Sequence, residues 1–162
     1  MNLNTFLLST TLLFLPFAAA ADDGRSADGT IRAESPFARA TPPRASVGGA
    51  YITLRNDGDA NRLTGGQSPV AARVEIHEHT MTDGVMKMRE IEGGLALPAG
   101  ETVVMEPGGI HVMLMELIEP LNEGETIPLA LEFEAGPPLL LEVPVLAPGA
   151  MGNGHGKAKH DH

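Results

Sequence analysis

Apolar and polar residues alternate with a period of two from Arg73 onward, and shorter strand-like runs precede this segment. Such alternation sends successive side chains to opposite faces of a strand, so it predicts half-buried β-strands. No window of helical length keeps a period of 3.6. Besides a short strand near Ile31 and a hairpin around the turn at 82–84, the pattern predicts strands at 50–55, 61–64, 102–106, 111–116, 126–134 and 139–145.

Glycine- and proline-containing turns separate these strands, for example Pro98-Ala99-Gly100 and Gly136-Pro137-Pro138. Short strands at regular spacing with such turns are typical of a sandwich. The predicted fold is therefore all-β, a single-domain antiparallel Greek-key β-sandwich. Within it, Asn56-Asp57-Gly58-Asp59 has the composition of a hairpin turn, which predicts that 50–55 and 61–64 pair with each other.

The two ends of the chain have a different composition. Residues 1–21 form an apolar run that ends in small residues, which predicts a cleaved signal peptide and an exported, periplasmic protein. A membrane anchor is the competing interpretation, but the run contains Pro16 and is short for a span of about 20 residues. We therefore expect no stable membrane insertion after cleavage. A linker at 22–30, the sandwich at 31–147 and a disordered tail at 148–162 complete the predicted organisation.

Cysteine is absent and the formal net charge is −10. Without cysteine the protein has neither disulfides nor a thiolate to offer a metal. The negative charge argues against binding to nucleic acid or to anionic membrane surfaces.

The segment 74–115 concentrates the soft ligands of the chain, with three of the six His and six of the eight Met. Ten residues separate His77 from Met88, twenty-two separate Met88 from His111, and one separates His111 from Met113. If Val74, Ile76, Val112 and Leu114 point to the core, strand geometry directs His77, His111 and Met113 away from it. Two imidazoles and two thioethers are a neutral, soft set that suits Cu(I). These four residues are the predicted metal site.

The other His and Met residues of the segment are weaker candidates for metal ligands. Met105 is predicted to pack in the core. Met81, Met86 and Met115 could line the site, replace a ligand transiently or simply pack. For His79, a solvated surface position is favoured over a role as an additional ligand.

An enzyme is the main alternative. His77, His79 and His111 could form a three-His zinc or copper site with an open position for water. Such a site would leave Met88 and Met113 unused, and no general base can be named, so we predict a protein that is not an enzyme. A metal-free scaffold would leave the in-phase His and Met unexplained. A blue-copper electron carrier would need a cysteine ligand.

The spacing of these ligands resembles that of the periplasmic copper chaperones with the PCu(A)C domain, whose second gap is about twenty-one residues. The resemblance extends over Ile31 to Val145, notably RATPPRASVGGAYITLRNDGDANRLTGGQSPVAARVEIHE and LPAGETVVMEPGGIHVML. It implies a cupredoxin-like sandwich that holds Cu(I) and delivers it toward the Cu(A) centre of cytochrome c oxidase. The implied partner is a copper acceptor such as cytochrome c oxidase subunit II or another copper chaperone.

The tail carries a second set of donors. Imidazoles on flexible backbone bind Cu(II), and some members of the resembled family have a similar extension. We predict a second, Cu(II) site formed by Met151, His155, His160 and His162.

Overall fold

The structure is a computed structural model that describes residues 24–152. The predicted signal peptide lies outside this range, as do His155, His160 and His162. Within it, no helix is long and apolar enough to cross a membrane. The strands of this range are β1 (Ile31–Arg39), β2 (Val47–Asn56), β3 (Asn61–Gln67), β4 (Ala71–Thr82), β5 (Val85–Glu90), β6 (Leu95–Leu97), β7 (Thr102–Met105), β8 (His111–Leu117), β9 (Thr126–Phe133) and β10 (Leu139–Leu146).

Seven of these strands form a closed ring. Their order is β4, β8, β2, β1, β10, β9 and β3, and the pairing of Gly66 with Val74 joins β3 back to β4. The short strands β5, β6 and β7 extend β4, β3 and β2. The predicted all-β Greek-key class is confirmed. One pairing departs from the antiparallel expectation, because the first and last strands of the ring, β1 and β10, run parallel to each other.

The core lies inside the ring and is built from alternate residues of each strand. Leu54, Val112, Leu114, Leu131 and Val143 are fully buried. Each such side chain contributes about 1.5–3 kcal/mol through removal from water. Met105 is also buried among them, as predicted. The two-residue period of the sequence is thus the period of burial.

The predicted pairing of β2 with β3 is wrong. β1 occupies one edge of β2, while β8 and β7 share the other. The Asn56 side-chain amide donates to the carbonyl oxygens of Leu97 at 2.9 Å and Asp59 at 2.7 Å, which fixes a corner where the chain leaves β2. Turn chemistry identified a change of direction correctly, but the partner of each strand is set by the whole ring.

Besides β3, the long strand β4 pairs with two other strands. β8 pairs with it over 71–77 and β5 pairs with it over 77–82. The turn between β4 and β5 has Asp83 at φ 52° and Gly84 at φ 75°, which are the values of a two-residue hairpin turn with positive φ at both positions. This predicted hairpin is confirmed, and it leaves β5 projecting from the ring.

Candidate metal centre

The two predicted histidine ligands lie directly opposite each other. His77 on β4 is the register partner of His111 on β8, and their ring centroids are 6.1 Å apart. Val74 and Ile76 point from the other face of β4 into the core, as predicted. The imidazoles therefore share one sheet face, opposite the apolar interior.

The two predicted methionine ligands lie on the same face, on either side of the histidine pair. Met113 is the register partner of Glu75 on β4, and Met88 on β5 is the partner of His79. Met113 is half-buried, whereas Met88 is 45% exposed. The structure thus brings the imidazoles into contact. One thioether lies at the level of Glu75 and the other at the level of His79, two residues to either side of His77.

A carboxylate fixes the orientation of His77. Its Nε2 lies 2.8 Å from Oε2 of Glu75. Glu75 in turn accepts a hydrogen bond from Arg73 at 2.7 Å, so the carboxylate accepts on both of its oxygens. Nε2 therefore carries the proton, and the lone pair resides on Nδ1, which is buried and has no hydrogen-bond partner. An imidazole held by a carboxylate, with its other nitrogen unpaired, is the usual arrangement of a metal ligand.

A backbone carbonyl fixes His111 in the other tautomer. Its Nδ1 lies 3.2 Å from the carbonyl oxygen of Gly109. A carbonyl oxygen can only accept, so Nδ1 carries the proton and Nε2 keeps the lone pair. The two histidines consequently present different ring nitrogens.

His111 is only 3% exposed. Burial lowers the pKa of His111; the Gly109 hydrogen bond opposes this shift, while the nearby His79 and His77 reinforce it. The imidazole is therefore neutral at physiological pH, which is the form that binds metals. His111 lies on the sheet face opposite the apolar core, as predicted, but neighbouring rings cover it there.

His79 is one of those covering rings. It stacks on His111 with centroids 5.1 Å apart, and its Nδ1 lies 3.3 Å from the same Gly109 carbonyl oxygen. His79 is therefore only partly solvated, because one side of its ring is stacked on His111. Gly109, in the Pro107-Gly108-Gly109 turn before β8, thus supplies a carbonyl that orients two imidazoles.

Tyr51, which the sequence pattern did not single out, covers the other side of His111. The two ring centroids are 6.2 Å apart, and the Tyr51 ring packs on Phe37 at 5.0 Å. Gly49, two positions earlier on β2, leaves room for this arrangement, because a Cβ there would lie 3.0 Å from the Tyr51 hydroxyl oxygen. A glycine two positions before an aromatic residue on one strand was the available signal.

The start of the predicted tail contacts this aromatic wall. The Arg39 guanidinium lies 5.3 Å from the Tyr51 ring centroid. It donates through Nε to the Ala150 carbonyl at 2.8 Å and through Nη2 to the Met151 sulfur at 3.2 Å. The chain therefore leaves the sandwich beside the aromatic cover of His111. The histidines of the predicted Cu(II) site lie outside the described residues, so that site stays a prediction.

The three-His alternative gains no support from the geometry. His77, His79 and His111 are close together, yet within residues 24–152 no group of three or more His, Asp or Glu side chains is placed so that it could hold a metal ion. Two of the three imidazoles share one carbonyl acceptor instead of converging on a common point.

Two comparisons with known proteins decide the family. The family model described as "Putative lipoprotein LpqE-like" matches residues 31–145. The chain belongs to the LpqE-like family. A relative from Leifsonia xyli subsp. xyli, named "Putative lipoprotein Lxx21020", is 32% identical over 129 residues, which is 79% of this chain and 76% of the relative.

Solved structures similar to this LpqE-like protein include a PCuAC domain and two forms of DR1885. The copper-bound PCuAC domain from PmoF2 is 26% identical with a TM-score of 0.62, over 74% of this chain and 95% of that domain. The Cu(I) form of DR1885 from Deinococcus radiodurans is 32% identical with a TM-score of 0.53, over 69% and 75% of the two chains. Apo-DR1885 is 27% identical with a TM-score of 0.57, over 91% and 97%.

The LpqE-like protein thus has a domain of the PCuAC copper-chaperone type, and the resemblance stated from the sequence is confirmed. The prediction that it is not an enzyme is confirmed by the same membership.

Proposed function

We propose that this LpqE-like protein is an exported copper chaperone that holds Cu(I) between His77, Met88, His111 and Met113. The observation that carries the proposal is the buried, unpartnered Nδ1 of His77 beside His111. A buried polar atom without a partner costs about 1–3 kcal/mol, and a bound metal would remove that cost. The copper-bound PmoF2 domain and Cu(I)-DR1885 support copper as the metal.

The donor set fits Cu(I) in detail. His77 offers Nδ1 and His111 offers Nε2. In each ring the other nitrogen makes the hydrogen bond, to Glu75 or to the Gly109 carbonyl, so the offered nitrogen keeps its lone pair for the metal. Thioether sulfur adds no charge and has no proton to lose at physiological pH. Imidazole and thioether together favour Cu(I) over the harder divalent ions.

Delivery requires that one ligand be reachable from outside, and Met88 meets this requirement. It is exposed, and its strand β5 projects from the ring at the end of the sheet order. An acceptor could displace Met88 first while His77 and His111 still hold the ion. The proposed acceptor is the Cu(A) centre of cytochrome c oxidase subunit II or another copper chaperone. Export, to the periplasm or its equivalent, follows from the predicted signal peptide and agrees with the lipoprotein name of the Leifsonia relative.

The test is a Cu(I) titration against a competing chelator. Met88→Leu and Met113→Leu each keep apolar volume and delete one sulfur, so each should lower Cu(I) affinity by at least about tenfold, equivalent to about 1.4 kcal/mol. Met115→Leu is the matched control, because Met115 lies on the same face of β8 but opposite Arg73. Parent-like Cu(I) affinity in both Met88→Leu and Met113→Leu would refute the site.

The tail is proposed as a Cu(II) site formed by Met151, His155, His160 and His162. Arg39 supports this by holding Ala150 and Met151 beside Tyr51, so a tail-bound ion would stay near the core site. Deleting 153–162 should abolish Cu(II) binding and leave Cu(I) affinity unchanged, as measured by separate titrations. Unchanged Cu(II) stoichiometry in the truncated protein would contradict the tail site.

A further inference from the structure

The tip of the β4–β5 hairpin carries three methionines with no packing role. Met81, Met86 and Met88 are 66%, 59% and 45% exposed. Met81 is the register partner of Met86, and Met88 follows two residues later on the same face of β5. Because the hairpin closes on the pair Thr82 and Val85, the alternation of an antiparallel ladder makes Met81–Met86 a non-hydrogen-bonded pair. Side chains approach each other most closely in such pairs.

The two faces of this hairpin differ in chemistry. The face opposite the methionines carries charged residues, including Arg89, which donates to Glu78 at 2.9 Å. An exposed edge is normally protected by such charges. Three uncharged thioethers on the other face are therefore not explained by solubility or by the core.

Sulfur explains them better than apolarity does. Thioethers bind soft monovalent ions, and a set of three without carboxylate or imidazole discriminates against zinc and calcium. His79, which is the register partner of Met88, leans away toward Gly109 and His111. The tip therefore offers sulfur alone.

We propose that Met81, Met86 and Met88 form an outer, weaker Cu(I) site that exchanges copper with the inner site through their common ligand Met88. This inference rests on the proposed function, because it takes Met88 as an inner ligand. An ion at the hairpin tip would keep Met88, release Met81 and Met86, and bind His77, His111 and Met113 in their place. The hairpin is then the route by which Cu(I) enters and leaves the protein.

The test separates this inference from the inner site. His111→Phe deletes an inner ligand and keeps a ring of similar size in contact with His79 and Tyr51. In a Cu(I) titration against a weak competing chelator, His111→Phe should lose tight binding and still bind one Cu(I) ion per protein molecule with lower affinity. Adding Met81→Leu and Met86→Leu should remove that weaker binding, whereas adding Met115→Leu should not. Tight binding that survives His111→Phe would instead overturn the inner site itself.

A kinetic measurement covers the case in which His111→Phe does not fold. In the otherwise native protein, Met81→Leu with Met86→Leu should slow Cu(I) uptake from a chelate by about tenfold, through loss of a local supply. Equilibrium affinity should change by less than about twofold, as in Met115→Leu. Leucine preserves the apolar surface. If these methionines served only as an apolar docking patch, the substitutions would therefore change neither the weaker Cu(I) binding retained by His111→Phe nor the rate of Cu(I) uptake. Either of these unchanged results would overturn the outer site.

Discussion

Two sets of candidate ligands along β4 differ both in chemistry and in exposure. At the ring, His77 and His111 are held by Glu75 and by the Gly109 carbonyl, and His111 is almost fully buried. At the hairpin, Met81, Met86 and Met88 are exposed and are held by backbone pairing alone. A chaperone needs both states, because prearranged imidazoles retain the ion while exposed thioethers let it exchange. The contrast indicates that affinity resides at the ring and exchange at the hairpin.

The largest effect should come from removing the buried imidazole. His111→Phe deletes the nitrogen while keeping the ring contacts with Tyr51 and His79, so Cu(I) affinity should fall by about 100-fold or more. Removing a residue that only hydrogen-bonds to a metal ligand usually lowers metal affinity by about 10- to 100-fold. A chelator competition measures this, with circular dichroism as the control for folding. A loss smaller than that of Met88→Leu would reverse the assignment of affinity to the ring.

The carboxylate behind His77 should have the next largest effect. Glu75→Ala removes the acceptor for Nε2–H, so the imidazole can change tautomer and Cu(I) affinity should fall by about tenfold. Glu75→Gln should be milder, because its amide oxygen still accepts that hydrogen bond.

Long-range proton–nitrogen NMR on the diamagnetic Cu(I) protein provides the decisive readout for this carboxylate. The prediction is metal on Nδ1 of His77 and on Nε2 of His111. Metal on the same ring nitrogen in both residues would refute the orienting roles of Glu75 and Gly109.

The buried imidazole should also make the metal-free protein sensitive to acid. Because the pKa of His111 is lowered by folding, the unfolded state binds its proton more readily. Stability should therefore be constant above the unfolded pKa of about 6.5 and decrease as the pH falls below it. Denaturant unfolding from pH 7.5 to 5.5 measures this decrease. His111→Phe should lose less stability over the same range; an equal loss would assign the acid sensitivity to other groups.

The smallest effect concerns folding stability at the two sulfur ligands. Met88 is exposed on β5, so Met88→Leu should change the free energy of unfolding by less than about 0.5 kcal/mol. Met113 is half-buried between β4 and β2, and Met113→Leu should cost up to about 1.5 kcal/mol. Denaturant unfolding of the metal-free variants checks the order, and a larger cost at Met88 would mean that the hairpin packs more tightly than its exposure indicates.

The sequence predicted the strands of the ring and the shared face of His77, His111 and Met113, because a two-residue period is local, but it did not predict the short strand β6. It did not predict the partner of each strand, and the β2–β3 pairing was wrong for that reason. The hydrogen bond from His77 to Glu75 depends on side-chain rotamers, and the Tyr51 cover depends on β2 lying beside β8. These contacts arise from the register between distant segments, which no local pattern encodes.

X-ray absorption at the copper edge of the Cu(I)-loaded protein counts the sulfur and nitrogen neighbours of the metal and so reports on all four proposed donors. We expect about two sulfur and about two nitrogen neighbours in the parent protein. Met88→Leu combined with Met113→Leu should remove the sulfur contribution from the inner site while leaving both nitrogens. A copper ion surrounded only by nitrogen and oxygen in the parent protein would show that neither thioether binds it.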